Sequence, residues 1–253
     1  RHARPRPIVD PARLVLVPTT SGSGSEVGRS AVMIFGNGVK AGVGCPKIVC
    51  AAICDPELTL GLPPSLTAAT GTDALSHCVE TFCSPTVNPP ADAIALDGLG
   101  RIAASIERAC ADGQDRDARW NMMMGSVEGA VAFQKGMGAV HALSHPLGAY
   151  GFHHGTLNAI LLPHVVAYNL DQIGPAKCAA MRAAMGLSAD ADLPAAFDDL
   201  NGRIGVPRTL SAIGADAATF DAVAEAALSD NAHKTNPRPV TAADYRRLLD
   251  AAF

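Results

Sequence analysis

Beyond Pro63-Pro64, apolar residues recur at intervals of three and four along almost the whole chain. Apolar residues at that spacing form one face of an α-helix, so the pattern predicts a set of packed helices. The predicted helices are SLTAATGTDALSHCVETFCS, DAIALDGLGRIAASIERACAD, DARWNMMMGSVEGAVAFQKG, LNAILLPHVVAYNL, PAKCAAMRAAMG, LPAAFDDLNGRIG and TAADYRRLLDAAF. Thr241, three residues before Asp244, is the predicted N-cap of the last helix.

The first part of the chain follows a different pattern. Three short apolar runs predict β-strands, at residues 14–17, 30–35 and 48–55, and Gly36-Asn37-Gly38 predicts a turn after the second. Residues 1–60 are therefore predicted to be a β-containing piece and residues 61–253 an all-helical domain. The predicted fold class is mainly α.

Composition excludes several classes of protein. The 253 residues are 48% hydrophobic and 17% charged, which predicts a sizeable core, and only 4% are aromatic, so that core must be mostly aliphatic. A formal net charge of −4 argues against a nucleic-acid partner. No apolar stretch is long enough to span a membrane, and no secretory signal begins the chain. The seven cysteines form no CxxC pair, and most lie in apolar runs, which predicts buried, reduced thiols in a cytoplasmic protein.

Half of the eight histidines lie between residues 141 and 154. His141 and His145 are four residues apart, as are Asp73 and His77, and a four-residue step places two side chains on one face of a helix. A carboxylate with several imidazoles suits Fe(II), Zn(II), Ni(II) or Co(II) rather than Mg or Ca. The alternative is a surface pair and ordinary core histidines. An alanine-rich helical core has little other use for so many imidazoles, so the whole set favours a metal site.

The segment Thr19-Thr20-Ser21-Gly22-Ser23-Gly24-Ser25-Glu26 follows the first predicted strand. Its small residues let a backbone approach a ligand closely, and its hydroxyl and N–H groups suit phosphate or ribose. It is neither a P-loop nor a GxGxxG motif, and taken by itself such a segment is more often a plain loop than a ligand site.

Four motifs in order along residues 14–253 resemble the iron-containing (group III) alcohol dehydrogenase family. They are TTSGSGSEV, DPELTLGLPPSLTAATGTDALSHCVETF, GAVHALSHPLGAYGFHHGTLNAILLPHV and TNPRPVT. The resemblance implies a dehydroquinate-synthase-like architecture, in which an α/β, Rossmann-like domain binds NAD or NADP and an all-α domain holds one divalent metal. It implies hydride transfer between a primary alcohol or hydroxy acid and NAD(P). It also implies a homodimer or higher homo-oligomer.

The same resemblance assigns roles to particular residues. The implied metal ligands are Asp73, His77, His141 and His154, with Fe(II) as the first choice of metal and Zn(II) as the second. His145 is the implied catalytic residue that moves the hydroxyl proton, the alternative being that it only orients the metal site. The implied cofactor-binding residues are Thr19, Thr20, Ser23 and Lys40.

One departure from the family pattern is that no GGGS loop for the cofactor pyrophosphate occurs in the chain. The sequence is therefore expected to lack the N-terminal third of a family member, and residues 1–60 to be the tail end of the cofactor domain.

Three alternative functions remain open at this stage: a maleylacetate-reductase-like enzyme, a dehydroquinate-synthase-like lyase, and a truncated metal-binding helical domain without activity. Small alcohols, diols and ω-hydroxy acids are all possible substrates. Lys135 and Arg238 are candidate cations for a substrate carboxylate, although solvated surface charges are the commoner role for such residues.

Overall fold

A computed structural model gives the structure of residues 12–28, 30–34, 40–44 and 49–253, and of the side chains within 12–28 and 49–253. Eight α-helices are described: α1 Pro64–Cys83, α2 Pro89–Ala111, α3 Arg116–Ala132, α4 Ala139–Gly148, α5 His154–Ala184, α6 Leu193–Arg203, α7 Phe220–Leu228 and α8 Ala242–Ala251. Four strands are described: β1 Leu14–Leu16, β2 Ser30–Ile34, β3 Lys40–Gly44 and β4 Val49–Ala52.

The strands form two small sheets rather than one. β1 and β4 pair in parallel, and β2 and β3 pair antiparallel, with Ser30 opposite Gly44. Three of the strands were predicted, whereas β3 was not, because KAGVG has only two apolar side chains besides glycine and lysine to mark a strand. The predicted turn at Gly36-Asn37-Gly38 lies outside the described residues.

Each predicted helix is present, and the ends follow local chemistry. Thr241 caps α8: its hydroxyl accepts a hydrogen bond from the Asp244 backbone N–H, and the Asp244 carboxylate accepts one from the Thr241 N–H. The two helices predicted between residues 157 and 186 form one element, α5, which breaks at Gly174, where φ is 78°. Within the described residues, no helix combines the length and apolar character needed to cross a membrane.

The core is formed mainly by α1 to α5 and is aliphatic, as predicted. Fully buried side chains come from each of these helices, among them Leu75, Leu99, Ile102, Met122, Leu143 and Leu157. Of the six described cysteines, all of them free, Cys78, Cys83 and Cys178 are buried, but Cys50 is exposed and two are intermediate. The prediction that most thiols are buried is therefore wrong for half of the described set: Cys50 lies in β4, whose side chains are accessible, Cys54 follows that strand, and Cys110 lies in the last turn of α2.

Helix α5 begins directly against the middle of α1. A Cβ atom at Gly155 would lie 1.9 Å from the backbone oxygen of Ala69, so only glycine permits this approach. The Thr72 hydroxyl also donates a 3.2 Å hydrogen bond to the Gly155 carbonyl. Ala69 lies one turn before Asp73 on α1, so the contact brings His154, the first residue of α5, beside Asp73.

We expect Gly155→Ala to lower the free energy of unfolding by about 3 kcal/mol or more, because the new methyl group must displace helix backbone rather than a flexible side chain. Gly202→Ala is the matched control, since Gly202 lies in α6 with nothing within 4 Å of its Cβ position, and this change should be neutral or stabilise by about 0.5 kcal/mol. Urea denaturation of both variants is the measurement. Equal midpoints for Gly155→Ala and wild type would contradict the packing described.

Candidate metal centre

Helix α1 presents a row of polar side chains inside the core. Asp73, His77 and Glu80 are spaced four and three residues apart, so they lie on one face of the helix, and all three are buried. A buried carboxylate or imidazole requires a partner. The partners come from α4 and α5.

Helix α4 contributes His141, whose ring is held between two carboxylates. Its Nδ1 lies 2.6 Å from Glu80 Oε2, and its Nε2 lies 3.6 Å from Asp73 Oδ1. Burial by itself lowers the pKa of His141, but the contacts with Asp73 and Glu80 raise it to about 9. The ring is therefore anchored by Nδ1, and Nε2 faces Asp73.

Three ligand atoms converge on one point. Asp73 Oδ1 and one ring nitrogen each from His141 and His154 all lie within 4.8 Å of one another, and His154 Nε2 is 3.5 Å from Asp73 Oδ1. Ligands around one tetrahedral cation with bonds near 2.1 Å are about 3.4 Å apart. One carboxylate oxygen and two imidazole nitrogens are donors that suit Fe(II) or Zn(II). The donor set fits a transition-metal ion.

His77 lies beside this group without belonging to the set of three. Its Nε2 is 3.8 Å from Asp73 Oδ1, and its ring stacks on that of His141 with centroids 4.6 Å apart. Its Nδ1 is buried and has no hydrogen-bond partner among the described residues.

Asn158 of α5 provides a second indication of a cation at this point. Its Nδ2 lies 2.7 Å from Asp73 Oδ1, 3.3 Å from His141 Nε2 and 3.2 Å from His154 Nε2. An amide group with two N–H bonds cannot satisfy three such atoms at once. Its Oδ1 is buried and unpaired within the described part of the chain. A positive ion between Asp73 Oδ1 and the two Nε2 atoms would satisfy all three lone pairs together.

The protonation states suit metal binding. Burial lowers the pKa of His77 to about 4 and that of His154 to about 3, despite the opposing charge of Asp73, so both imidazoles are neutral near pH 7. Burial alone would raise the pKa of Asp73, but the neighbouring rings of His77 and His141 lower it by more. The pKa of Asp73 therefore lies below its usual range. The site therefore combines an ionised carboxylate with two neutral imidazoles, the forms that bind metal, whereas His141, whose pKa is raised, must lose its Nε2 proton when an ion binds.

His145 lies at the open side of the cluster. Its ring stacks on that of His154, with centroids 5.3 Å apart and planes 8° apart, and its Nδ1 is 2.8 Å from Asp230 Oδ2. His145 is 35% exposed and His154 37%, whereas Asp73 and His141 are buried. Burial raises the pKa of Asp230, but the hydrogen bond with His145 lowers it more, so this carboxylate is ionised. Among the described residues, the group is thus accessible to solvent at His145 and His154.

Comparison with known proteins identifies the family. Residues 67–253 match the model of the C-terminal part of the Fe-containing alcohol dehydrogenase family. The chain belongs to the iron-containing alcohol dehydrogenase family. The mainly α fold and the resemblance inferred from the four motifs are thereby confirmed.

Individual members of the family are similar over almost all of this chain. A 4-hydroxybutyrate dehydrogenase from Cupriavidus necator is 53% identical over 96% of the chain. The crystal structure of a 1,3-propanediol oxidoreductase superposes with a TM-score of 0.92 at 36% identity, covering 97% of this chain and 68% of that one. A maleylacetate reductase from Rhizobium sp. strain MTP-10005 superposes with a TM-score of 0.84 at 33% identity, covering 96% and 67%. The chain spans 66% of the length of the Cupriavidus necator relative.

The segment of residues 19–26, which the family resemblance assigns to the cofactor, packs on α1, the helix of Asp73 and His77, and on α3. A Cβ at Gly22 would lie 2.9 Å from the Cβ of Thr70, one turn before Asp73, and one at Gly24, where φ is 57°, would lie 2.1 Å from Ala130 of α3. The Ser126 hydroxyl of α3 donates to the Gly22 carbonyl. With the glycines against the helices, Thr19 and Ser23 are exposed and Thr20 is half-buried. The side chain of Lys40 lies outside the described residues.

The two cations considered for a substrate carboxylate have other partners. Lys135 is buried rather than on the surface, because its Nζ donates to the carbonyls of Thr81 and Phe82 at the end of α1 and pairs with Asp92 at 2.5 Å. The Arg238 guanidinium donates a hydrogen bond to the backbone carbonyl of Tyr168, and its carbon lies 4.3 Å from the centre of the Tyr168 ring.

Three residues of the site were missed by the sequence analysis, namely Glu80, Asn158 and Asp230. Glu80 carried a usable signal, since it continues the Asp73–His77 face by one turn. Asn158 likewise lies four residues after His154 on α5. Asp230 gave no local signal, because it is 85 residues from the histidine that it contacts.

We expect Lys135→Met to lower the free energy of unfolding by about 2 kcal/mol, since it removes the ammonium partner of Asp92 and the side-chain donor of the Thr81 carbonyl, while the Phe82 carbonyl keeps the bond from Lys177. Lys234→Met is the control, because Lys234 is exposed and contacts only Asn231 through its ammonium group. Chemical denaturation of both variants measures the effect. A loss of substrate affinity without a loss of stability in Lys135→Met would contradict the structural role.

Proposed function

We propose that this protein is a metal-dependent alcohol dehydrogenase that transfers hydride between a primary alcohol or hydroxy acid and NAD(P). The observation that carries the proposal is the convergence of Asp73, His141 and His154 on one point in a chain of this family. The proposed ligand set adds His77, whose Nε2 is 3.8 Å from Asp73 Oδ1. Fe(II) is the first choice of metal and Zn(II) the second, because this donor set accepts both.

The proposed cofactor site uses the exposed hydroxyls of Thr19 and Ser23, with Thr20 beside them. Lys40 belongs to the proposal on the resemblance alone. The loop packs on α1 at Thr70 and on α3 at Ala130, so it is held near the turn that carries Asp73. This proximity supports a nicotinamide placed next to the metal ligands.

When bound, the metal supplies Lewis-acid polarisation of the substrate oxygen, and NAD(P) accepts the hydride. The protein's own residues supply the rest. Asp73 and the three imidazoles of His77, His141 and His154 would hold the ion, and the burial of Asp73, His77 and His141 would leave it accessible at His145 and His154. His145 is proposed to accept the hydroxyl proton at Nε2, while Asp230 holds Nδ1 and stabilises the resulting imidazolium. The products are an aldehyde, NAD(P)H and that proton.

The proposed substrate class is a short ω-hydroxy acid. A 53% identical relative is named for 4-hydroxybutyrate, which carries a primary alcohol and a carboxylate on one short chain. The maleylacetate-reductase alternative is less well supported, since three of the four proposed donors converge on one point. The division at residue 60, the cytoplasmic location and the homo-oligomeric state stay predictions from the sequence.

In the complete polypeptide, we expect His77→Ala to lower kcat/KM for primary alcohols by 10³-fold or more while leaving the affinity for NAD(H) within a few-fold. Loss of this ligand would remove the ion that favours ionisation of the alcohol. The free energy of that effect is many kcal/mol, and only part of this free energy needs to appear in the transition state. Steady-state kinetics, NADH fluorescence titration and elemental analysis together measure the effect.

His164→Ala is the matched control, because His164 lies on α5 near Asp198 rather than in the cluster. It should retain both metal and turnover. A His77→Ala protein that keeps its metal and more than a tenth of wild-type activity would show that His77 is not a ligand.

For the substrate class, we expect kcat/KM for 4-hydroxybutyrate to exceed that for 1-butanol by about 10-fold or more, because one charge-assisted hydrogen bond to the carboxylate contributes about 1.5–3 kcal/mol. NAD(P)H formation with 4-hydroxybutyrate, 1,4-butanediol and 1-butanol at equal concentrations is the measurement. Equal values for the acid and 1-butanol would reject the hydroxy-acid class, and a faster reduction of maleylacetate would favour the alternative.

A further inference from the structure

Glu80 is a buried carboxylate of α1 that faces the first turn of α4. Its Oε1 accepts a 2.7 Å hydrogen bond from the Val140 backbone N–H, in the first turn of α4. Its Oε2 lies 2.6 Å from His141 Nδ1 and also accepts a longer bond, 3.4 Å, from the His141 backbone N–H. Glu80 is 4% exposed, so these protein groups replace water as its partners.

The two carboxylate oxygens have different neighbours and therefore different effects. The bond from Val140 holds the start of α4, a role that Glu80 shares with Asn236, whose Oδ1 accepts from the Ala139 N–H at 3.1 Å. The contact with His141 Nδ1, by contrast, is made by Glu80 and not by Asn236. A carboxylate beside Nδ1 keeps the proton on Nδ1 and leaves the lone pair to Nε2 once the ring is neutral. Nε2 is the atom that faces Asp73.

We propose that Glu80 is a positioning residue that fixes the Nδ1-protonated form and the ring orientation of His141, and thereby sets the affinity of the site for a divalent cation. The inference rests on the proposed metal site. The negative charge of the Glu80 carboxylate lies on the opposite side of the His141 ring from the proposed ion, and it raises the basicity of that imidazole. Glu80 acts through His141 and does not itself contact the ion.

The structure explains why this role requires a carboxylate at this position. Gly138 approaches the carboxylate closely, since a Cβ there would lie 2.8 Å from Glu80 Oε1 and 2.9 Å from Asn236 Oδ1. The contacts with the Val140 N–H and His141 Nδ1 hold the two carboxylate oxygens in place. A glutamine of the same shape retains the acceptor for Val140. Its amide N–H₂, however, would face Nδ1 as a donor, which favours a proton on Nε2 and opposes metal binding there.

The test compares the metal affinity and the stability of the chain and its variants. Zn²⁺ affinity is measured by competition with a chromophoric chelator, the Co²⁺ absorption spectrum reports ligand geometry, and urea denaturation without metal reports stability. We expect Glu80→Gln to weaken Zn²⁺ binding by 10- to 100-fold and to change the Co²⁺ spectrum. Asn236→Ala, which removes a bond to the same helix end but none to an imidazole, should lower stability and change Zn²⁺ affinity by less than threefold.

Glu80→Asp is the conservative variant, and it still tests the inference if Glu80→Gln does not fold. It keeps a carboxylate one methylene shorter, and it should retain more Zn²⁺ affinity than Glu80→Gln while remaining at least threefold weaker than wild type. If Glu80→Gln does not fold, Glu80→Asp with wild-type affinity overturns the inference.

Other outcomes also decide the question. Equal weakening of metal binding in Glu80→Gln and Asn236→Ala would mean that Glu80 only holds α4 in place, which overturns the inference while leaving the proposed function intact. A wild-type chain that binds neither Zn²⁺ nor Co²⁺ overturns the proposed function itself, before any variant is compared.

Discussion

The close approach of α5 to α1 at Gly155 sets the geometry of everything around the candidate metal centre. Because the backbone of α5 starts against Ala69, His154 and Asn158 project toward the same stretch of α1 that carries Asp73 and His77. The Thr72 hydroxyl, which bonds both its own helix and the Gly155 carbonyl, keeps the two helices in register. The ligand atoms therefore belong to helices whose separation is fixed by backbone contact rather than by flexible side chains.

Buried charge is the second constraint. Asp73 and Glu80 are both buried carboxylates on α1, and His141 lies between them with one ring nitrogen toward each. Such a row would be costly if the groups were unpaired. The imidazole carries positive charge in the absence of an ion, and a divalent cation would replace the proton on Nε2 while the contact with Glu80 persists. The same three residues thus remain compensated in both states.

Much of this arrangement could be predicted from the sequence, but not all. The three- and four-residue periodicity predicts six of the eight described helices, all but α4 and α7. The paired spacing of Asp73 with His77 and of His141 with His145 points to shared faces, because it depends on local geometry alone. Glycine-rich β3 carries too little apolar pattern to be recognised. The partners Asp230 and Lys135 acquire their roles from contacts 85 and 43 residues away, which no local pattern encodes. Lys135 also shows that a cation near a histidine motif can serve a helix end instead of a ligand.

The distribution of the donors over three helices has a consequence for the whole helical part of the chain. An ion held by Asp73 and His141 would close a loop of roughly 70 residues, and the start of α5 would be tied to the same point through His154. A cross-link over that span lowers the conformational entropy of the unfolded chain, which stabilises the folded state by about 4 kcal/mol. The same ion would then serve as a staple for α1, α4 and α5, and its loss would loosen α2 and α3 as well, since they pack against α1.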